Sequence, residues 1–345
     1  MIFLDAKKYQ SGGFEELYFT NVYDAITRMQ GGKKKGSWKK DSSDKWCIPR
    51  ELVKCLKSAG ILGLFLENAS DADSLNITSC DKAVLERILK KLILADVETL
   101  REACENLDPY KGKTGDFLEY FYENAYASMC RTEVPDLWNG EEKVSLPVRM
   151  VEQLGLRTCP YCNRNYIGIS KGKNLGVQLD HFFSKSGYPY FAVSLYNLIP
   201  SCGVCNNVKR AGDSSGMISP FEEKNGGEGV TFHLGWDGKT ESLFVVPGDA
   251  EHGKNMEAFH LKTAYAFHQA EARRFREKLT AYPPSMLDEI ARMLAGEEAG
   301  VKKEQIRQDL EMSLFGDYFT EPDQYNKKPL SKLHRDLYYE FRGWK

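Results

Sequence analysis

Two short motifs, Cys159-Pro-Tyr-Cys162 and Cys202-Gly-Val-Cys205, carry the clearest chemistry in the chain. Each Cys-x-x-Cys turn offers two thiolates to one cation, and two such turns complete a tetrahedral S4 set that suits structural zinc. With four cysteines on the ion no coordination position stays open, so the zinc is expected to hold the fold while other side chains do the chemistry. The residue types for that chemistry lie inside the same stretch: the pair Asp180-His181, then Asn197, then Asn206 directly after the last cysteine. An imidazole moves protons near neutral pH, and side-chain oxygens suit a hard cation that binds phosphate. Taken alone, the cysteines also suit a zinc ribbon that only binds nucleic acid.

The order and spacing of these residues narrow the reading. Asp-His, then Asn197, then Asn206 nine positions later, resembles the HNH endonuclease family with its ββα-metal finger. The longer run D-H-F-x-x-K-S-x-Y-P-x-F-x-x-S-x-Y-N-L-I-P-S-C-x-x-C-N, from Asp180 to Asn206, is similar to HNH proteins of bacterial anti-phage systems, including the Septu type. In that type the nuclease works beside an ATPase. The resemblance implies that His181 is the general base, that Asp180 and Asn206 are ligands of a catalytic Mg²⁺ or Mn²⁺, and that Asn197 orients the intervening loop. It further implies hydrolysis to a 3′ hydroxyl and a 5′ phosphate, with DNA as the favoured target. An RNA- or tRNA-directed nuclease would share every one of these residues.

Charge supports a polyanionic substrate. Between Cys159 and Arg210 stand six basic residues, Arg164, Lys171, Lys173, Lys185, Lys209 and Arg210, against the single acid Asp180. That block is near +5 in a chain of net charge −2, so the remainder carries about −7. Positive charge focused at one place is what a nucleic acid requires. Of these, Arg164, Lys185, Lys209 and Arg210 are assigned to nucleic-acid binding. A second basic run surrounds Trp38: Lys33, Lys34, Lys35, Lys39 and Lys40. Its lysines, Lys33 to Lys35 above all, either grip phosphates beside a stacking ring or form a solvated loop.

The elements that must position these groups follow from pattern. Tyr166–Ser170 and Leu175–Leu179 read as a β-hairpin turning at residues 171–174, which puts Asp180 and His181 at a strand end. A short strand over Asn197–Pro200 leads to the second cysteine pair, and Asn206 is expected to open a helix reaching about Arg210, its N-terminus suited to phosphate. Before this segment, helical spacing predicts a helix over residues 81–107, a second over 116–129, and one that starts near Pro147 and stops at Gly155. After it come a hairpin around Trp236-Asp237-Gly238-Lys239 and helices over 255–282, from a capping box at Ser285 to Gly296, and over 301–315 and 332–341. His233 falls on the outer face of the hairpin and His268 on the apolar stripe of a helix, so neither is given a catalytic role.

The whole is read as an α+β, mainly α protein. Residues 1–145 form a helical N-terminal region, 146–225 an inserted zinc-stabilised finger, and 226–345 a hairpin and helical C-terminal region. At 345 residues with 42% hydrophobic and 28% charged, the chain belongs among globular proteins. The longest apolar run, Ile61 to Leu66, is far too short to cross a bilayer. The five remaining cysteines, Cys47, Cys55, Cys80, Cys104 and Cys130, are scattered and odd in number, which suits reduced thiols in a cytoplasm.

Overall fold

The computed structural model describes residues 2–27, 39–40, 46–47, 82–106, 125–170, 173–209, 212, 214, 216–222, 229–296, 301–316 and 324–343. The fold is α+β and mainly helical, and among the described residues the strands form five two-stranded antiparallel sheets. No helix among them is long and apolar enough to cross a membrane. The chain gathers into two compact units, Leu4–Gly155 with Gly168–Ser215, and Met1–Phe3 with Leu156–Ile167 and Gly216–Lys345. A division of the chain at 145 and 225 does not describe them, because each unit collects segments that lie far apart in sequence.

In the first of these units, α1 (Lys7–Gln10) leads into α2 (Phe14–Thr27), which buries Phe14, Tyr18, Phe19, Val22 and Ile26 along one side. Phe14, Tyr18, Val22 and Ile26 step by four, with Phe19 three before Val22, the spacing of a single helix face. The expected helix over 81–107 is two helices, α3 (Lys82–Ile93) and α4 (Val97–Asn106). Asp96 makes the break: its carboxylate accepts the Thr99 N–H at 2.8 Å and so caps α4. Of the helix expected over 116–129, the described part begins at Ala125 and continues as α5 (Ala127–Arg131). Lys39–Lys40 (β1) pairs with Trp46–Cys47 (β2), and Glu133–Pro135 (β3) pairs with Lys143–Ser145 (β4). Helix α6 (Leu146–Leu154) carries Pro147 in its first turn and ends on Gly155 at φ +65°, the left-handed closure that glycine adopts freely.

The strands that carry the candidate site differ from the sequence expectation. Gly168–Ser170 (β5) pairs with Lys173–Leu175 (β6), and Gly176 at φ +81° then redirects the chain. Val177–His181 (β7) is a separate strand whose partner is Leu198–Cys202 (β8), in the register Val177↔Cys202 to His181↔Leu198. A run read as one strand is thus two, because a left-handed glycine at its middle cannot continue a ladder. Helix α7 spans Gly203–Lys209 and packs on β7 and β8, so Asn206 lies inside the helix rather than at its start.

In the second unit, Val230–Trp236 (β9) and Glu241–Pro247 (β10) form the expected hairpin, with His233 exposed on its outer face. The helix expected over 255–282 is divided into α8 (Ala250–Ala258), α9 (Leu261–Ala266) and α10 (Gln269–Ala281). His260, at φ +47°, interrupts the helical ladder, and His268 sits at the start of α10. Pro283, not Ser285, precedes α11 (Pro284–Ala295), and no side chain caps it. Helix α12 (Val301–Phe315) pairs with α11, while α13 (Ser331–Arg342) lies along β9, where Asp336 and Glu340 accept the N–H groups of Phe232 and Leu234.

Candidate active site

The sulfurs of Cys159, Cys162, Cys202 and Cys205 all lie within 4.8 Å of one another, and all four residues are buried. Their local turns are built to present them. Asn163, at φ +50°, lets the first turn fold back, and the N–H groups of Arg164 and Cys205 point at the sulfurs of Cys162 (3.4 Å) and Cys202 (3.5 Å). Four sulfurs about 2.3 Å from a central zinc are about 3.8 Å apart at the corners of a tetrahedron, so the observed cluster fits the ion. This buried S4 set can hold a metal ion such as zinc. Cys104, Cys130 and the four clustered cysteines are in no disulfide.

A cleft of about 660 Å³ opens beside the end of β7. Asp180, His181, Ser184, Lys185 and Asn206 line it together with Gln178, Asn207, Tyr126 and Cys130. His181 is buried at the cleft wall, its Nε2 3.0 Å from the carbonyl oxygen of Ala192. A carbonyl only accepts, so Nε2 carries the proton and the ring's lone pair is on Nδ1. Burial, opposed by that hydrogen bond and helped by the charges of Lys185 and Lys209, lowers the pKa of His181 from 6.5 to about 4. The imidazole is therefore neutral at physiological pH, as a general base must be. The ring of Tyr126 packs against it with centroids 4.9 Å apart.

Asn197 is fully buried and stands behind the loop that follows His181. Its side-chain oxygen accepts the Phe183 N–H at 2.8 Å, and its amide donates to the carbonyls of Phe191 (2.9 Å) and Phe183 (3.2 Å). Three hydrogen bonds from one amide tie both ends of that loop to the start of β8. The loop carries Pro189 within a short 3₁₀ turn, Pro189–Phe191, and delivers the Ala192 carbonyl to His181.

Lys209 corrects the sequence reading most directly. Its side chain is 1% exposed, and its ammonium lies 3.1 Å and 3.3 Å from the two oxygens of Asp180 and 2.7 Å from the carbonyl of His181. It is an internal ion-pair partner, and no face of it is open to a nucleic acid. Burial draws its pKa below the ordinary lysine value, and Asp180 pushes it back up. Lys209 follows Cys205 by one helical turn, so it shares the buried face that Cys205 occupies, and that spacing was the signal available in the sequence.

Of the other nominated residues, Lys185 is exposed at the cleft, whereas Arg164 donates through Nε to Nε2 of His268 at 2.9 Å and does not line the cleft. His268 in turn faces Glu271 at 3.3 Å, consistent with a structural histidine. Lys33, Lys34, Lys35 and Arg210 lie outside the described residues. Asn206 donates to the Gln178 side chain at 2.7 Å, which leaves its own amide oxygen as the acceptor on the cleft-lining residue. Asp180 and Asn206 both line the cleft with side-chain oxygens, and the Asp180 carboxylate has its charge partner in Lys209. Tyr126 and Gln178 were not singled out by the sequence, because neither belongs to a motif.

No family model, no curated protein and no solved structure matches the chain.

Proposed function

We propose that the chain is a metal-dependent endonuclease of the HNH type that hydrolyses phosphodiester bonds, with DNA as its target. The observation that carries the reading is the state of His181: a buried, neutral imidazole with its lone pair on Nδ1, in a cleft that Asp180, Asn206 and Lys185 also line. The strand, strand, helix order of β7, β8 and α7 beside a four-sulfur cluster supports it.

In this reading His181 takes a proton from water at Nδ1 while the water oxygen attacks phosphorus. The bond from phosphorus to the 3′ oxygen breaks, giving a 5′ phosphate and a 3′ hydroxyl once that oxygen is protonated by solvent. Lys185, exposed at the cleft, draws the substrate phosphate in. Asp180 and Asn206 would hold a Mg²⁺ or Mn²⁺ ion, which when bound stabilises charge on the phosphate and leaving oxygen. Asn197 and the Ala192 carbonyl keep the base in its working tautomer and position. A setting in bacterial anti-phage defence beside an ATPase rests on the resemblance of residues 180–206 alone. Incubating the full chain with duplex DNA, single strands and RNA, with Mg²⁺ or with EDTA, tests the proposal: ion-dependent cleavage of duplex DNA is expected. Preferential cleavage of RNA would reassign the substrate, and inertness toward all three would overturn the activity.

A further inference from the structure

The carboxylate of Asp180 is 2% exposed, and a buried anion requires a compensating positive charge. Lys209 supplies it from inside the fold. Its ammonium is surrounded by three oxygens, two from Asp180 and the carbonyl of His181, and lies 5.7 Å over the ring of Phe182. Three consecutive residues at the end of β7 are thereby held to α7 by one side chain. A divalent ion arriving from the cleft meets an ion pair instead of a bare anion. Among the described residues that line the cleft Asp180 is the only acid, and the further negative charge that would balance a second cation is present on a phosphodiester.

We propose that Lys209 is a positioning residue that stands in for a cation beside Asp180, so that the free protein holds a divalent ion weakly and loads it together with substrate phosphate. The inference rests on the nuclease reading above. Ion and nucleic acid then bind with positive coupling, and that coupling is reciprocal. Lys209 touches neither substrate nor the reacting atoms. Its effect is on which charge Asp180 serves.

The test is Mn²⁺ binding to the zinc-loaded full chain, followed by the spin-resonance signal of free Mn²⁺, with and without a short duplex DNA and corrected for the DNA alone. For the parent, the duplex is expected to tighten Mn²⁺ binding by about tenfold or more. Lys209→Met is expected to bind Mn²⁺ about tenfold more tightly than the parent without DNA, and to lose most of the DNA effect. Lys209→Arg, which keeps the charge, is expected to behave as the parent. Zinc content and thermal unfolding establish that each variant is folded. Mn²⁺ affinity that is equal or weaker in folded Lys209→Met overturns the inference, and so does a parent whose Mn²⁺ affinity ignores DNA. Should the parent cut DNA in an ion-dependent way while these affinities stay fixed, the inference fails and the nuclease reading stands. No Mn²⁺ binding and no cleavage by any form removes both.

Discussion

In the proposed reaction His181 serves as the base only while it is unprotonated, and its pKa of about 4 decides over what range that holds. Because the folded value lies below the ordinary 6.5, the working form persists toward acid. Cleavage is therefore expected to hold from neutral pH down to about 5 as far as this residue is concerned, and to decline toward about 4. A pH–rate profile with half its activity lost near 6.5 would contradict the assignment of this buried imidazole as the base. Replacing it, as His181→Ala, is expected to lower the cleavage rate by roughly 10²–10⁴-fold while zinc content and thermal stability stay near those of the parent. The types of these residues were legible in the sequence, since Asp180, His181 and Asn206 do line one cleft. Their partners were not. That Lys209 turns inward to Asp180, or that the Ala192 carbonyl fixes the tautomer, depends on contacts between residues 11 to 29 positions apart, which spacing does not report.

Elements place these groups through a few backbone decisions. The loop from Phe182 to Tyr196 has little regular structure beyond short 3₁₀ turns, and Asn197 supplies its anchoring. Asn197→Ala would leave a buried N–H and two buried carbonyls without that amide. The expected loss is about 2–4 kcal/mol of stability, read as a lower denaturant midpoint. An unchanged midpoint would show that the loop is held by other contacts. At the end of α6, Gly155 at φ +65° has only the distant Lys8 ammonium, at 3.9 Å, near an added Cβ. Gly155→Ala is thus expected to cost the backbone term alone, about 1–2 kcal/mol, by the same measurement. That helix was readable because proline and glycine mark its two ends. The breaks at Gly176, Asp96 and His260 were not, since apolar periodicity continues across each of them while the backbone turns.

At the scale of the whole molecule, a cluster of four buried cysteines makes metal binding and folding one equilibrium. Cys159→Ser and Cys205→Ser are each expected to lose zinc and to unfold at markedly lower temperature, with metal content and melting measured on the same samples. Full stability in a zinc-free variant would show that the sulfurs are ordinary core. The cluster was legible because Cys-x-x-Cys is a local pattern, whereas the two units were not, because each collects segments separated by long stretches of chain. Of the basic block read in the sequence, Lys185 stands exposed at the cleft while Lys209 is buried against Asp180, so in the proposed function it is Lys185 that draws the nucleic acid in. The most direct measurement of the central claim is the fate of supercoiled plasmid incubated with the parent chain or with His181→Ala, in Mg²⁺ or Mn²⁺ and in EDTA. Nicking by the parent that requires the ion, and that His181→Ala lacks, is the expected result. Equal nicking by the two proteins, or no cleavage of DNA or RNA by the parent, would contradict it.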